Sequence, residues 1–375
     1  KITNNLSNRN LIINGDMRIA QRATTNNTVG AQSTYHTLDR WMTQIQAGTI
    51  TESQQSLSSS DTGPWEKGFR NYARLLNQSG IGAGAAQYAE IDQRIEAQNV
   101  AQSGWDYTSS SSYITVSFWI RASVAQAYVA VIYSNDGTQR HYPFEIKDSG
   151  GSTLSADTWT KITKTIPGNS GITVANDTGN GLTLSFIAAY GTNWTSSSGS
   201  FDAWNTTGGG TDRWPDMTNT WATTTNATFD VTGVQLEVGD VATDFEHRSY
   251  GDDLFRCQRY YQEVYRTSGT NDISGTFAAG TGNDNAGNGG ILQVMVRFPT
   301  TMRDVPTMTQ SGTFSHHISG INVADTTLTF NRAFVDGVKC TGTQTAFVHT
   351  DGLCAELTSK YSDTSTAYIK ASAEL

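Results

Sequence analysis

Two segments more than two hundred residues apart constrain this chain most strongly. The first is Asn10-Leu-Ile-Ile-Asn-Gly-Asp-Met-Arg-Ile-Ala-Gln-Arg22. The second is Thr232-Gly-Val-Gln-Leu-Glu-Val-Gly-Asp-Val-Ala-Thr-Asp-Phe-Glu-His-Arg248. Each contains a strand-like apolar run. If the two runs pair, they close one β-domain around everything between them. Leu11 to Ile13 is expected to open the first strand, with Asn14-Gly15-Asp16 as the turn that ends it.

The interior of that interval reads as short strands. Tyr113-Ile-Thr-Val-Ser-Phe-Trp-Ile-Arg121 alternates, placing Ile114, Val116, Phe118 and Ile120 on one face and Tyr113, Thr115, Ser117, Trp119 and Arg121 on the other. Ala89-Glu-Ile-Asp-Gln-Arg-Ile95 alternates as well. Further strands are expected over 73–76, 128–133, 141–146, 159–166 and 182–189. Asn135-Asp-Gly137 supplies hairpin turn chemistry between two of them. Many short strands at roughly even spacing imply an all-β antiparallel sandwich. Trp41 and Trp119 are expected in its core.

Composition supports that class. The chain has 375 residues, enough for two domains. Only 37% are hydrophobic and 16% charged, the remainder being dominated by Ser, Thr, Asn, Gln and Gly. Nine Trp, 15 Tyr and 14 Phe exclude a disordered tail. A net charge of −9 without a basic cluster disfavours nucleic acid as a partner. No apolar run is long enough to span a bilayer. The chain opens at Lys1 rather than Met, so it is expected to be a piece of something longer. Cys257, Cys340 and Cys354 form no metal-binding spacing and are expected as free thiols, a Cys340–Cys354 bridge being the alternative.

Two segments depart from the strand pattern. Residues 191–228 are rich in Ser, Thr, Gly and Asn yet carry Trp194, Phe201, Trp204, Trp214 and Trp221, which suggests a long ordered loop. Residues 250–266 read as the one helix. Asp252 and Asp253 suit its N-terminus. Leu254, Cys257, Tyr261 and Val264, spaced three, four and three, form a short heptad-like stripe. That stripe suits either packing within the chain or a self-association seam. A second β pattern follows, with strands expected over 291–298, 327–333 and 368–371.

The order of these signals resembles the C-terminal portion of tailed-bacteriophage tail fibre and related virion fibre proteins, of the marine and cyanobacterial type. The resemblance is carried by Asn10-Leu-Ile-Ile-Asn-Gly-Asp-Met17, Ala20-Gln-Arg22, Leu38-Asp-Arg-Trp41, Thr232-Gly-Val-Gln-Leu-Glu-Val-Gly239, Phe245-Glu-His-Arg-Ser-Tyr250, Cys257-Gln-Arg-Tyr-Tyr261, Phe298-Pro-Thr-Thr-Met-Arg303, Val305-Pro-Thr307 and Ala373-Glu-Leu375. It spans nearly the whole chain. It implies a lead-in over 1–9 and a jelly-roll sandwich similar to carbohydrate-binding modules over 10–248. A linking helix over 249–266 and a smaller C-terminal β-sandwich over 267–375 would follow. It also implies a homotrimeric fibre tip on the virion, made in the host cytoplasm and contacting other virion proteins and a host-surface polysaccharide or lipopolysaccharide.

Aromatic planes stack on the C–H faces of sugars, and Asn, Asp, Gln and Arg meet the hydroxyls. On that chemistry the glycan-binding candidates are Trp204, Trp214, Trp221, Asp212, Arg213, Trp194, Trp65 and Trp105. The competing reading is that these tryptophans plug the sandwich or build subunit contacts. A structural calcium ion is a further expectation, with Asp16, Asp230 and Glu237 near the meeting point of the bookends. No other cofactor is expected. The sequence has no G-x-S-x-G, H-E-x-x-H, phosphate-loop or dinucleotide motif. The leading expectation is therefore a non-enzymatic receptor-binding fibre. Its rivals are a capsid-bound head fibre or decoration protein, and a polysaccharide depolymerase using acids such as Glu90, Asp92 and Glu96.

Overall fold

The computed structural model describes residues 8–206, 214–266, 279–284, 290–312, 314–318, 321–343, 354–359 and 368–375. The chain is nearly all β. It divides into two compact units, with the boundary between Asp253 and Leu254. No helix among the described residues is long and apolar enough to cross a membrane.

In chain order the N-terminal unit contains β1 (Thr25–Val29), β2 (Gln32–Thr34), β3 (Met42–Ile45), β4 (Ile50–Ser56), β5 (Asn71–Asn77), β6 (Tyr88–Glu96) and a short helix α1 (Ala97–Ala101). Then come β7 (Tyr113–Ala122), β8 (Tyr128–Ser134), β9 (Arg140–Ile146), β10 (Thr160–Pro167) and β11 (Asn180–Tyr190). The two-residue strands β12 (Thr195–Ser196), β13 (Asn205–Thr206) and β14 (Trp214–Pro215) precede helix α2 (Thr220–Thr223) and the long β15 (Ala227–Val238). One sheet runs β1-β4-β5-β15-β7-β10 and the other β13-β9-β8-β11-β6-β3-β2. Together they form the jelly-roll sandwich.

Alternation decides which side chains enter the core. Ile114, Val116, Phe118 and Ile120 of β7 are fully buried. Facing them are Tyr128, Ala130 and Ile132 of β8 and Leu184 and Phe186 of β11. Phe118 meets Phe186 edge-on, with centroids 4.7 Å apart, and Trp41 lies 6.1 Å from the same ring. Trp41 is a core residue, as expected. Trp119 is not: it stands on the opposite face of β7, half-buried on the outside of the first sheet. Its position follows from the alternation that buries its neighbours.

The bookends meet, but not as a pair of strands. Residues 10–19 run as irregular chain threaded between the sheets, with Ile12 and Met17 fully buried. The Leu11 N–H donates to the Leu236 carbonyl (2.8 Å), and the Val234 N–H donates to the Gly15 carbonyl (2.9 Å). Asn10 fills the interval with its amide, donating to the Val234 carbonyl (3.1 Å) and accepting from the Leu236 N–H (3.0 Å). From the other sheet, inward-facing Gln93 closes two bonds on the Ile13 peptide, each 2.8 Å. The Trp41 indole donates to the Asn14 carbonyl (3.0 Å). Buried backbone must be paired, and here side-chain amides replace a ladder. Glycine is required at the crossing, since a Cβ on Gly15 would lie 2.1 Å from the Val234 carbonyl oxygen.

In the C-terminal unit, α3 (Tyr250–Gln258), begun before the boundary, leads into β16 (Tyr261–Arg266), β17 (Ala279–Asp284), β18 (Gly290–Arg297), β19 (Thr307–Ser311) and β20 (Phe314–Ile318). There follow β21 (Ile321–Phe334), β22 (Gly337–Thr343), β23 (Cys354–Ser359) and β24 (Tyr368–Ser372). Six strands, in the order β17-β18-β22-β21-β20-β23, close into a barrel, and β16-β24-β19 form a separate small sheet. The expected C-terminal sandwich is thus a barrel with an attached sheet. The helix stops at Gln258 instead of reaching 266. Aromatic Tyr260 and Tyr261 favour extended backbone, and β24 offers Tyr261–Arg266 a ladder. That ends the proposed heptad stripe. Cys257 and Tyr261 are buried, Leu254 is half-buried, and the Val264 side chain lies outside the described residues. Cys257 and Cys340 are free buried thiols, which removes the Cys340–Cys354 bridge. The Cys354 side chain lies outside the described residues.

Replacing Gln93 by Ala leaves the Ile13 N–H and C=O without their partner inside the sandwich. Denaturant unfolding is expected to show a loss of about 2–3 kcal/mol. An unchanged midpoint would show that the clamp contributes nothing.

Candidate functional site

The outward face of the second sheet is where chemistry gathers. Period-2 geometry sends Tyr88, Glu90, Asp92 and Arg94 of β6 outward together. Gln44 stands opposite Glu90 on β3, and Tyr190 of β11 opposite Tyr88. Tyr133 of β8 occupies the same face. The chain after β11 folds back over this face and adds Trp194 and Trp214. The result is a cleft of about 360 Å³, lined also by Asn135 and Gln139. That volume falls within the usual range of small-ligand pockets.

Five aromatic rings build its walls. Tyr88 stacks on Tyr190 at 5.3 Å with an interplanar angle of 14°. Trp194 meets Tyr88 edge-on at 5.3 Å and anchors its indole N–H on the Ala86 carbonyl (2.9 Å). Trp214, 5% exposed, packs against Tyr133 (5.9 Å), His141 (5.1 Å) and Tyr190 (6.1 Å). Rings braced on one another keep their orientation in the free protein, so a ligand face meets a preformed surface.

Burial shifts the titration of several polar groups on this face. The Tyr133 and Tyr190 phenols are pushed well above their ordinary range by desolvation, and the Glu90 carboxylate near both adds to the effect. They remain hydroxyl donors and acceptors at any physiological pH. The Asp92 carboxyl is raised to about 6, chiefly by burial, against the opposing pull of Arg94. One of its oxygens accepts from the Gln44 amide, while Oδ1 has no hydrogen-bond partner among the described residues. The His141 imidazole is lowered to about 4 by desolvation and stays neutral. Hydroxyls, amides, one guanidinium and aromatic planes are the complement of a polyhydroxylated ring.

The tryptophan candidates do not share one surface. Trp214 and Trp194 line the cleft. Trp221 is fully buried in the sandwich core, and Trp105 is 3% exposed, so neither offers a face to a ligand. The α2 turn carries Trp221 inward, where its backbone N–H is fixed by Gln126 (2.7 Å). Trp204 packs on Tyr142 at 5.5 Å and donates to the Pro167 carbonyl (2.7 Å), away from the cleft. Trp65 is half-buried, with the Arg70 guanidinium 3.8 Å from its ring centroid. Asp212 and Arg213 lie outside the described residues. The cleft tyrosines, Gln44 and Arg94 went unnoticed in the sequence. The signal was present in Ala89–Ile95, whose outward set is all charged.

The three calcium candidates do not converge. Asp230 is fully buried between Arg74 (2.7 Å) and Arg121 (3.0 Å), so its charge is already balanced. Glu237 accepts from the Thr243 backbone N–H (2.8 Å) and hydroxyl (2.6 Å) and from Gln235 (2.8 Å). Asp16 pairs with Arg18 at 3.2 Å. No cluster of three or more potential ligands exists among the described His, Cys, Asp and Glu residues.

No protein-family model matches the chain, and no curated protein matches it. Among solved structures the chain is similar to the enzymatically active domain of tailspike protein 4 of bacteriophage CBA120. The identity is 8% over 61% of this chain and 21% of that chain, with a TM-score of 0.28. It is also similar to a family 11 carbohydrate-binding module from Clostridium thermocellum, in complex with a mixed-linked tetrasaccharide. There the identity is 12% over 59% of this chain and 99% of that one, with a TM-score of 0.27. A xylan-binding domain from Paenibacillus barcinonensis aligns at 9% identity over 60% of this chain and 100% of that one, with a TM-score of 0.23. At these scores the alignments say nothing about ligands.

The raised Asp92 pKa has a stability consequence. Its unfolded value is near 3.8 and its folded value near 6. Between these values the folded state holds the extra proton, so this group's contribution to stability falls as pH rises through the window and levels off above it. Asp92→Asn removes that loss and still offers Gln44 an acceptor. The difference in melting temperature between variant and parent is expected to move in the variant's favour from about pH 4 to about pH 7. A constant difference across that range would contradict a buried, raised Asp92.

Proposed function

We propose that this chain is a glycan-binding protein and that the cleft on the second sheet is its binding face. The observation that carries the proposal is the gathering of Tyr88, Tyr133, Tyr190, Trp194 and Trp214 around Gln44, Glu90 and Arg94 on one outward face. Sugar C–H faces stack on the rings, and hydroxyls exchange hydrogen bonds with the amides, phenols and guanidinium. With the Arg94 guanidinium offset by the Glu90 carboxyl group and otherwise uncharged partners, the cleft suits uncharged sugar residues.

The sequence resemblance supports placing this binding in a virion fibre that contacts a host-surface polysaccharide. In a homotrimer, several shallow sites would act together, so modest single-site affinity becomes firm attachment. The role is non-enzymatic. Glu90 and Asp92 are neighbours on the cleft face, which is the observation that favours a depolymerase. Yet Asp92 is fully buried and does not line the cleft, which leaves Glu90, 4% exposed, as its one lining carboxyl group among the described residues.

A glycan array probed with the full chain should show binding to neutral polysaccharide fragments. Trp194→Ala and Tyr88→Ala should each weaken it by about tenfold or more, the worth of one lost stacking face. Binding that survives both changes, or no binding to any surface polysaccharide, would contradict the reading. Release of reducing ends from a bound polysaccharide, abolished by Glu90→Gln, would establish the depolymerase instead.

A further inference from the structure

A second groove lies on the outward face of the first sheet, on the opposite side of the sandwich from the cleft. It encloses about 250 Å³ around Trp119. Trp119 sits mid-sheet on β7. Directly across the ladder on one side is Lys161 of β10, and on the other Thr232 of β15, where a bulge interrupts the register between Thr232 and Gln235. Within the bulge Gly233 adopts φ 63°. A Cβ there would lie 2.7 Å from the Phe69 ring and 3.1 Å from Trp119. A Cβ on Gly63 would lie 2.5 Å from the six-membered ring of Trp119. Two glycines therefore seat the indole, with side chains removed where it must lie close.

The ring is half-buried, and its surroundings are suited to a ligand. Phe69 and Phe245 pack edge-on at 4.8 Å beside it, and His247 is pinned to the Lys67 carbonyl at 2.9 Å. Lys161 is exposed and forms no ion pair among the described residues. Side chains directly opposite on antiparallel strands stand about 5 Å apart at Cβ. The ammonium is thus within reach of a substituent on any ring laid over Trp119. Asp244 and Glu66 line the same groove and can accept hydroxyls.

We propose that this groove is a second saccharide site, independent of the cleft, in which a sugar ring stacks on Trp119 and a carboxylate on that sugar meets the Lys161 ammonium. It would give the chain a subsite for uronate-bearing polysaccharide on the face opposite its neutral-sugar cleft.

The test uses the full chain with tetragalacturonate and its methyl ester, which share a backbone and differ in charge. Tetragalacturonate should bind saturably and more tightly than the ester, with an affinity that falls as salt is added. Lys161→Gln should weaken the acid by about three- to fivefold, the worth of one exposed ion pair, and leave the ester unchanged. Because Lys161 is exposed, this variant reads the site without disturbing packing. Trp119→Ala should abolish both, while Trp194→Ala in the cleft should alter neither. Equal affinity for acid and ester, no saturable binding of tetragalacturonate, or a loss produced by Trp194→Ala rather than Trp119→Ala would overturn the proposal. Failure here would leave the neutral-sugar cleft standing, and failure of the cleft variants would leave this groove standing.

Discussion

The buried amide clamp on residues 10–15 is the interaction on which the N-terminal unit depends. A segment with no regular hydrogen-bonding pattern lies between two sheets, where unpaired backbone is costly. Asn10 satisfies it from within, the 234–236 stretch of β15 from one sheet, and Gln93 from the other. The segment therefore ties the sheets together as well as filling the space between them. The bulge in β15 serves both sides. Inward, Val234 turns to receive Gly15. Outward, Gly233 gives Phe69 and Trp119 their seats.

The same two-sidedness explains the clefted sheet. Residue 93 of β6 faces inward and holds the clamp, so residues 90, 92 and 94 must face outward. Carboxylates on this face are desolvated once a segment covers them, and then need partners. The segment after β11 provides that cover with Trp194 and Trp214, and Gln44 partners Asp92. The cover leaves a concavity because large rings braced edge to face cannot flatten onto the sheet. Stability and the proposed recognition thus draw on the same residues.

Much of this was legible beforehand. The alternation in Tyr113–Arg121 located β7 and its buried face, and Asn135-Asp-Gly137 located the β8–β9 hairpin. Local pattern was enough there because one face of each strand is core. It was insufficient where tertiary partners override local preference. Leu11–Ile13 reads as a strand, yet side-chain amides take the place of its ladder. Tyr261–Arg266 continues a helical stripe on paper, but β24 draws it into a sheet. The tryptophans of 191–228 look equivalent in sequence, and only the fold separates Trp221 in the core from Trp194 and Trp214 at the cleft. The cleft tyrosines were hidden for a related reason. They lie on three different strands, which only the strand order brings to one face.

The most direct test of the account follows the nine indole N–H resonances of isotopically labelled protein as a neutral surface oligosaccharide, chosen by array, is added. The account predicts that the Trp194 and Trp214 signals shift with a common binding curve while those of Trp41, Trp105 and Trp221 stay in place. Shifts confined to tryptophans away from the cleft, or no shift at saturating sugar, would contradict it.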